Sequence, residues 1–311
     1  MTPPLPDIET ATLPDLVGNT PLVEIPYRRS DRVRVVAKCE WFNPSGSVKD
    51  RAATAIFMHA LKAGALAGKV LIDATSGNTG IAFAMLGAYF GVPVELALPQ
   101  NASAERICIL RNYGVTLHLT NPLEGTDGAQ RFVQQRVASD PDRYYYADQY
   151  NNPHNWQAHY TGTGPEIWVQ TQSQVTHFVA GLGTTGTFVG ASRFLAPHGV
   201  CCVAAMPDAP MHGLEGWKHL PSVMVPGIYD PALAQDLIEV STVRAYEMAI
   251  AASRYLGLQI SPSAGANLAA AFQMADQLDS GIVVTIFPDN AMKYLQEPFW
   301  DDSEFHIPSP F

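Results

Sequence analysis

The sequence predicts an α/β fold made of two doubly wound, open-sheet domains, and three observations carry that prediction. At 311 residues the chain exceeds the usual size of one compact domain, so two domains sharing a cleft are expected. From residue 70 onward, short apolar runs alternate with longer stretches of helical periodicity, the pattern of parallel strands joined by crossover helices. The short runs are continuous in Val, Ile, Leu and Ala, as strands covered on both faces require. In chain order the strands are expected at 70–74, 94–98, 115–119, 144–147, 177–181, 201–206 and 282–288. Helices are expected near 51–63, 78–90, 103–113, 126–139, 156–171, 186–196, 242–256 and 265–278. Residues 1–20 and 43–147 are assigned to a smaller, mobile N-terminal domain, and 21–42 with 148–311 to a larger C-terminal one. Neither a fixed-period repeat nor a low-complexity tract interrupts the pattern. One long irregular stretch, 207–236, carries five prolines and three glycines, and a loop of that length in a compact domain is usually functional.

Composition narrows the function. Hydrophobic residues make up 47% and charged ones 15%, which argues for a packed globule rather than disorder. A net charge of -10 without a basic stripe repels polyanions, so nucleic acid is excluded as a partner. The N-terminus lacks the basic and apolar regions of a signal peptide, and no window is long and apolar enough for a membrane span, so a cytoplasmic protein with no membrane partner is expected. Cys39, Cys108, Cys201 and Cys202 show no CxxC spacing and read as buried free thiols. The histidines form no HExxH or comparable spacing, so no metal site is expected.

Three loops carry chemistry. NPSGSVKDR (43–51) runs from a Pro/Gly/Ser turn into an amphipathic segment and places Lys49 at a loop-to-helix junction, where an amine can hold an aldehyde cofactor as a Schiff base. GLGTTGT (181–187) follows the strand HFVAGL and precedes a helix. Its glycines let the backbone wrap an anion, its threonines add hydroxyl donors, and the helix N-terminus supplies oriented N–H groups. It is a phosphate cup that fits neither the nucleotide P-loop nor the GxGxxG fingerprint. TSGNTG (75–80) has the same strand-to-helix context and reads as a second anion site suited to a substrate carboxylate. Two anion cups and a lysine together describe pyridoxal 5'-phosphate meeting an amino acid. Asn78 is placed to donate to the cofactor's ring hydroxyl oxygen, leaving Thr75, Ser76 and Thr79 for the carboxylate.

These loops, with GNTPL (18–22), LPQNASAER (98–106), DQYNNPHN (148–155), GTGPEI (162–167) and SPSAGAN (261–267), make the chain resemble the cysteine synthase family, the O-acetylserine or O-phosphoserine sulfhydrylases of the tryptophan synthase β-like fold type II. The resemblance covers nearly the whole chain and implies that the cofactor lies in the cleft between the two domains. It implies Lys49 as the Schiff-base lysine, Gly183, Thr184, Thr185, Gly186 and Thr187 as the phosphate loop, and Asn78 at the cofactor's 3-hydroxyl. It also implies Gln149 beside Thr75, Ser76 and Thr79 at the substrate carboxylate, and Ser263 facing the pyridine nitrogen. A hydroxyl there leaves the ring less electron-withdrawing than a carboxylate would, which suits β-elimination and replacement over transamination.

The implied reaction forms L-cysteine from an O-activated L-serine and a sulfur donor through an aminoacrylate, in a homodimer, with Lys49 as the base at Cα. The leaving group stays open between acetate and phosphate. Lys218, in GLEGWKHL, is a candidate cation for a phosphorylated substrate, though a lysine lacks the bidentate fork of arginine. Ala264 and Ile107 depart from residues frequent in the sulfhydrylases and leave the sulfur donor open. The alternatives are a cystathionine β-synthase-like replacement, a serine or threonine dehydratase, and a non-catalytic scaffold.

Overall fold

The computed structural model describes residues 10–75, 77–300 and 309–311. In chain order it contains β1 (Leu22–Ile25), β2 (Val33–Cys39), α1 (Lys49–Lys62), β3 (Val70–Ala74), α2 (Asn78–Phe90), β4 (Val94–Pro99), α3 (Ala104–Asn112), β5 (Thr116–Thr120) and α4 (Gly125–Ser139). There follow β6 (Tyr144–Tyr146), α5 (Pro153–Ala158), α6 (Gly164–Gln170), β7 (His177–Gly181), α7 (Gly186–Leu195), β8 (Cys201–Pro207), β9 (Asp236–Val240), α8 (Thr242–Leu256), α9 (Pro262–Ala275) and β10 (Gly281–Phe287). The strands form two sheets: six strands in the order β1-β2-β10-β7-β8-β9, and four in the order β5-β4-β3-β6. Every pairing is parallel except β1 with β2.

The α/β class expected from the sequence holds, and its physical reason is visible in burial. β4 is buried along its whole length, and β8 and β10 along most of theirs, as strands covered by helices on both faces must be. α2 is apolar nearly all round and is buried from Thr79 to Gly87. α1 is one-sided: Ala52, Ala53, Ile56, Phe57 and Ala60 form a buried stripe at helical spacing.

Several elements differ from expectation. β1, β2 and β9 fall outside the predicted strands: Arg34 and Lys38 interrupt the apolar run of β2, and β9 is an edge strand with only Ile238 and Val240 buried. The helix expected at 156–171 is broken into α5, a π-helical turn at His159–Thr163, and α6. There α7 comes so close that a Cβ on Gly190 would lie 2.0 Å from the carbonyl oxygen of Trp156. α9 starts earlier than expected, at Pro262, because Ser261 caps it by accepting from the N–H of Ala264 at 3.2 Å. Of the four thiols expected to be buried, Cys39 and Cys202 are, Cys201 is half-buried, and Cys108 is exposed. On α3 the inward face is Arg106 and Leu110, which turns Cys108 to solvent.

Candidate active site

The predicted loops converge because they all leave the carboxyl ends of parallel strands, where open α/β sheets bind ligands. Thr75 and Gly77 follow β3, the 182–185 turn follows β7, and Asp289 follows β10. The Lys49 loop is stitched to the last of these: the N–H of Val48 donates to the carbonyl of Pro288 at 2.8 Å, and Ser47 bridges to Asp289.

Lys49 is the first residue of α1, and its neighbours fix it. Asp50 accepts from the N–H of Ser45 at 2.6 Å and from its hydroxyl, and burial pushes its carboxyl up to about 6. Arg51 lies in a buried charge network. It donates to Glu40 at 2.6 and 2.9 Å and to both carboxylate oxygens of Glu166 at 2.7 Å, while Lys38 pairs with Glu166 at 2.7 Å. Burial works against ionisation of Glu166, but Arg51 and Lys38 outweigh it and hold the carboxyl down at about 2. The side chain of Lys49 is half-buried, and among the described residues nothing ties up its amine in a hydrogen bond or ion pair. Burial lowers its pKa, with Asp289 as the main opposing charge.

Around that amine, one cavity is lined by Asn78, Thr79, Gly183, Thr184, Thr185, Thr187, Ser263, Glu215, Trp217 and Tyr294, among others. In the phosphate-cup turn, a Cβ at Gly183 would sit 2.0 Å from the carbonyl oxygen of Gly216, and one at Gly186 would sit 1.9 Å from Oδ1 of Asn155, so only glycine fits. Thr185 is in the left-handed region at φ 71°, and its buried hydroxyl has no partner. Asn155 braces the turn from behind, donating to Thr184 at 3.1 Å and to the carbonyl of Gln149 at 2.6 Å. His159 shares a hydrogen bond with the hydroxyl of Thr187 at 3.3 Å, and burial, with Arg51 nearby, pushes its imidazole down to about 3, so it is neutral.

In the second turn, Thr75 accepts from the N–H groups of Gly77 and Gly80 at 2.9 and 3.1 Å, which shapes the entry to α2. Thr79 donates to Gln149 at 2.7 Å, and Gln149 donates to the carbonyl of Ala74 at 2.6 Å. Ser76 lies outside the described residues. Asn78 donates to Asp289 at 2.8 Å and accepts from Lys293 at 2.8 Å, which leaves one amide hydrogen to offer. Ser263 lies 3.0 Å from the hydroxyl of Ser261, the cap of α9.

Thus Lys49, Asn78, Thr79, Gly183, Thr184, Thr185, Thr187 and Ser263 share the cavity, with Gly186, Thr75 and Gln149 directly behind it. Lys218 is not brought there: its amine pairs with Asp127 at 2.8 Å and lies 5.0 Å over the ring of Tyr150, beside an outer groove. Sequence reasoning missed Asn155 and His159, which brace the cup, and Glu215, Asp289, Lys293 and Tyr294. The place of Asp289, just past a strand's carboxyl end, was the available signal.

A family model described as pyridoxal-phosphate dependent enzyme matches residues 13–289. The chain belongs to this family. A cysteine synthase of Aquifex aeolicus is 48% identical over 94% of this chain and 93% of its own length. Cysteine synthase B of Salmonella typhimurium is 38% identical over 94% and 97%. A solved cysteine synthase from Entamoeba histolytica superposes with a TM-score of 0.89 at 32% identity, covering 98% of this chain and 94% of that one.

A pyridoxal-phosphate dependent enzyme needs a free amine for the aldehyde and donors for the phosphate, and this cavity has both. The unpartnered amine of Lys49, the orphaned hydroxyl of Thr185 and the glycine-only approach of Gly183 and Gly186 fit pyridoxal 5'-phosphate, the cofactor of this enzyme.

Proposed function

We propose that this chain is a cysteine synthase, which replaces the oxygen substituent on Cβ of an O-activated L-serine with sulfur to give L-cysteine. The observation that carries the reading is the convergence of one unpartnered, half-buried lysine with two strand-to-helix anion turns in a single cavity. When bound, pyridoxal phosphate supplies the electron sink that acidifies the Cα–H bond and lets the β-substituent leave.

The remaining work belongs to the chain. Gly183, Thr184, Thr185, Gly186 and Thr187 would hold the phosphate, Asn78 would donate its free amide hydrogen to the ring oxygen, and Ser263 would meet the ring nitrogen with a neutral hydroxyl. Thr75, Ser76, Thr79 and Gln149 clamp the substrate carboxylate, which aligns Cα–H toward Lys49. Burial lowers the pKa of the Lys49 amine, which favours its neutral, basic form. Lys49 then takes the proton from Cα, the Cβ–O bond breaks with its electron pair leaving on oxygen, the sulfur nucleophile forms the Cβ–S bond, and Lys49 returns the proton to Cα. We assign residues 1–20, of which 1–9 lie outside the described residues, and 43–147 to a smaller domain that closes when the carboxylate binds, and expect a homodimer acting in the cytoplasm on small-molecule substrates.

The test is a sulfide-dependent cysteine assay on the purified holoenzyme. Lys49→Ala is expected to reduce kcat/KM by at least roughly a hundredfold, the usual scale for removing a positioned acid–base group. Full turnover by that variant would refute the role of Lys49. Pyruvate formed without any need for sulfide would instead identify a dehydratase.

A further inference from the structure

Lys293 and Asp289 are buried behind Asn78, and no step of the reaction above uses them. Both follow β10: Asp289 comes directly after Pro288, and Lys293 ends a short turn, Ala291–Lys293, that Asn290 caps by accepting from the N–H of Met292 at 3.1 Å. A buried ammonium has to be satisfied, and this one meets an acceptor for each of its hydrogens: Oδ1 of Asn78 at 2.8 Å and the carbonyls of Ser45 and Gly46 at 3.3 and 3.4 Å. Burial lowers its pKa, with Asp289 and Asp50 the main charges acting against that and Arg106 adding to it. The short contact is the one to Asn78. The Lys49 loop has firmer anchors elsewhere: the N–H of Gly46 donates to the carbonyl of Asn43 at 2.8 Å, that of Ser45 to Asp50 at 2.6 Å, and that of Val48 to Pro288 at 2.8 Å.

The two ends of a side-chain amide are nearly alike in size, so packing alone does not decide which end of Asn78 faces which neighbour. Charge does. An ammonium only donates and a carboxylate only accepts, so Lys293 draws Oδ1 to itself while Asp289 accepts from Nδ2 at 2.8 Å. Turned over, the amide would set its hydrogens against the ammonium and its oxygen against the carboxylate. Asp289 is itself held by the hydroxyl of Tyr294, which donates to the same carboxylate oxygen at 2.8 Å. We propose that Lys293 is a positioning residue for the cofactor: together with Asp289 it fixes the amide of Asn78 so that its second Nδ2 hydrogen is offered to the ring oxygen of pyridoxal phosphate. This rests on the reading above that Asn78 meets that oxygen. A positive charge on the far side of the amide also polarises it and strengthens its N–H as a donor.

The experiment is a double-mutant cycle on cofactor affinity, measured by titrating pyridoxal 5'-phosphate into the full-length, cofactor-depleted enzyme and following visible absorbance. Asn78→Ala and Lys293→Met are each expected to weaken the affinity about tenfold, and the double variant to be within about twofold of Asn78→Ala alone. A lysine that only supports the fold would instead weaken binding equally in both backgrounds, and that result overturns the inference. So does an unchanged affinity in Lys293→Met. Should Lys293→Met fail to fold, Lys293→Gln, which removes the ammonium but keeps a polar end, carries the same cycle with the same expectations. An Asn78→Ala variant with wild-type affinity overturns the role given to Asn78 as well, so the two failures are told apart.

Discussion

Gly186 shows how little room the phosphate turn leaves. A methyl group there would meet Oδ1 of Asn155 at 1.9 Å, and Asn155 cannot simply swing away, because its amide is committed to Gln149 at 2.6 Å and to Thr184 at 3.1 Å. Gly186→Ala therefore displaces a residue that ties the 182–185 turn to Gln149. The expected outcome is a cofactor affinity at least tenfold weaker, with a loss of stability of about 1–3 kcal/mol from overpacking. Titrating pyridoxal phosphate into apo-enzyme, followed by visible absorbance, measures the first, and chemical denaturation the second. A variant with unchanged affinity would mean that Asn155 does not brace the cup. The glycines and threonines of this turn were legible in the sequence because their chemistry is local. Asn155 and His159 act from other helices, and no local pattern distinguishes a bracing asparagine from a solvated one.

Helix α1 carries Lys49 at its first position, and its placement depends on the charge network two residues later. Arg51, Lys38, Glu40 and Glu166 come from α1, β2, the turn after β2, and α6, so the network joins elements far apart in the chain. Glu166 titrates at about 2 in the folded protein against an ordinary 4.5, so the folded state favours its ionised form. That contribution is fully present above pH 4.5 and is lost as pH falls through about 2, and its size is roughly 3 kcal/mol. Glu166→Gln should lower stability at neutral pH and flatten the loss of stability between pH 4.5 and 2, as measured by denaturant unfolding at a series of pH values. An unchanged slope would place the acid sensitivity elsewhere. At this scale the sequence conveyed element type better than element ends. The α2 run IAFAMLGAYF could only be a buried helix after a glycine turn, whereas β2 hides behind an exposed Arg34 and behind Lys38, whose buried charge is neutralised by Glu166, a partner that no local window contains.

Across the molecule, the two sheets are linked by ion pairs from α3 and α4 of the four-stranded sheet to the irregular stretch between β8 and β9. Arg106 takes Glu215, and Asp127 takes the amine of Lys218 at 2.8 Å and the N–H of Met224 at 2.9 Å. The length and proline content of this stretch marked it as functional, but its docking could not be read from sequence, because the anchoring residues lie about a hundred positions upstream. Lys218 illustrates the difference: its charge pointed toward a substrate, and the fold spends it on Asp127 beside the ring of Tyr150. Asp127 thus holds two points of the stretch that borders the cavity mouth. Its removal by Asp127→Ala leaves a largely buried ammonium unpaired and frees one backbone N–H, each costing on the order of 1–3 kcal/mol. Amide hydrogen exchange over residues 215–225 should then speed by about tenfold or more, since every 1.4 kcal/mol in the opening equilibrium is a factor of ten. Exchange in the strands of the six-stranded sheet should stay unchanged, which separates local release from global loosening. Equal acceleration everywhere would show that Asp127 supports the whole fold and not the docked stretch.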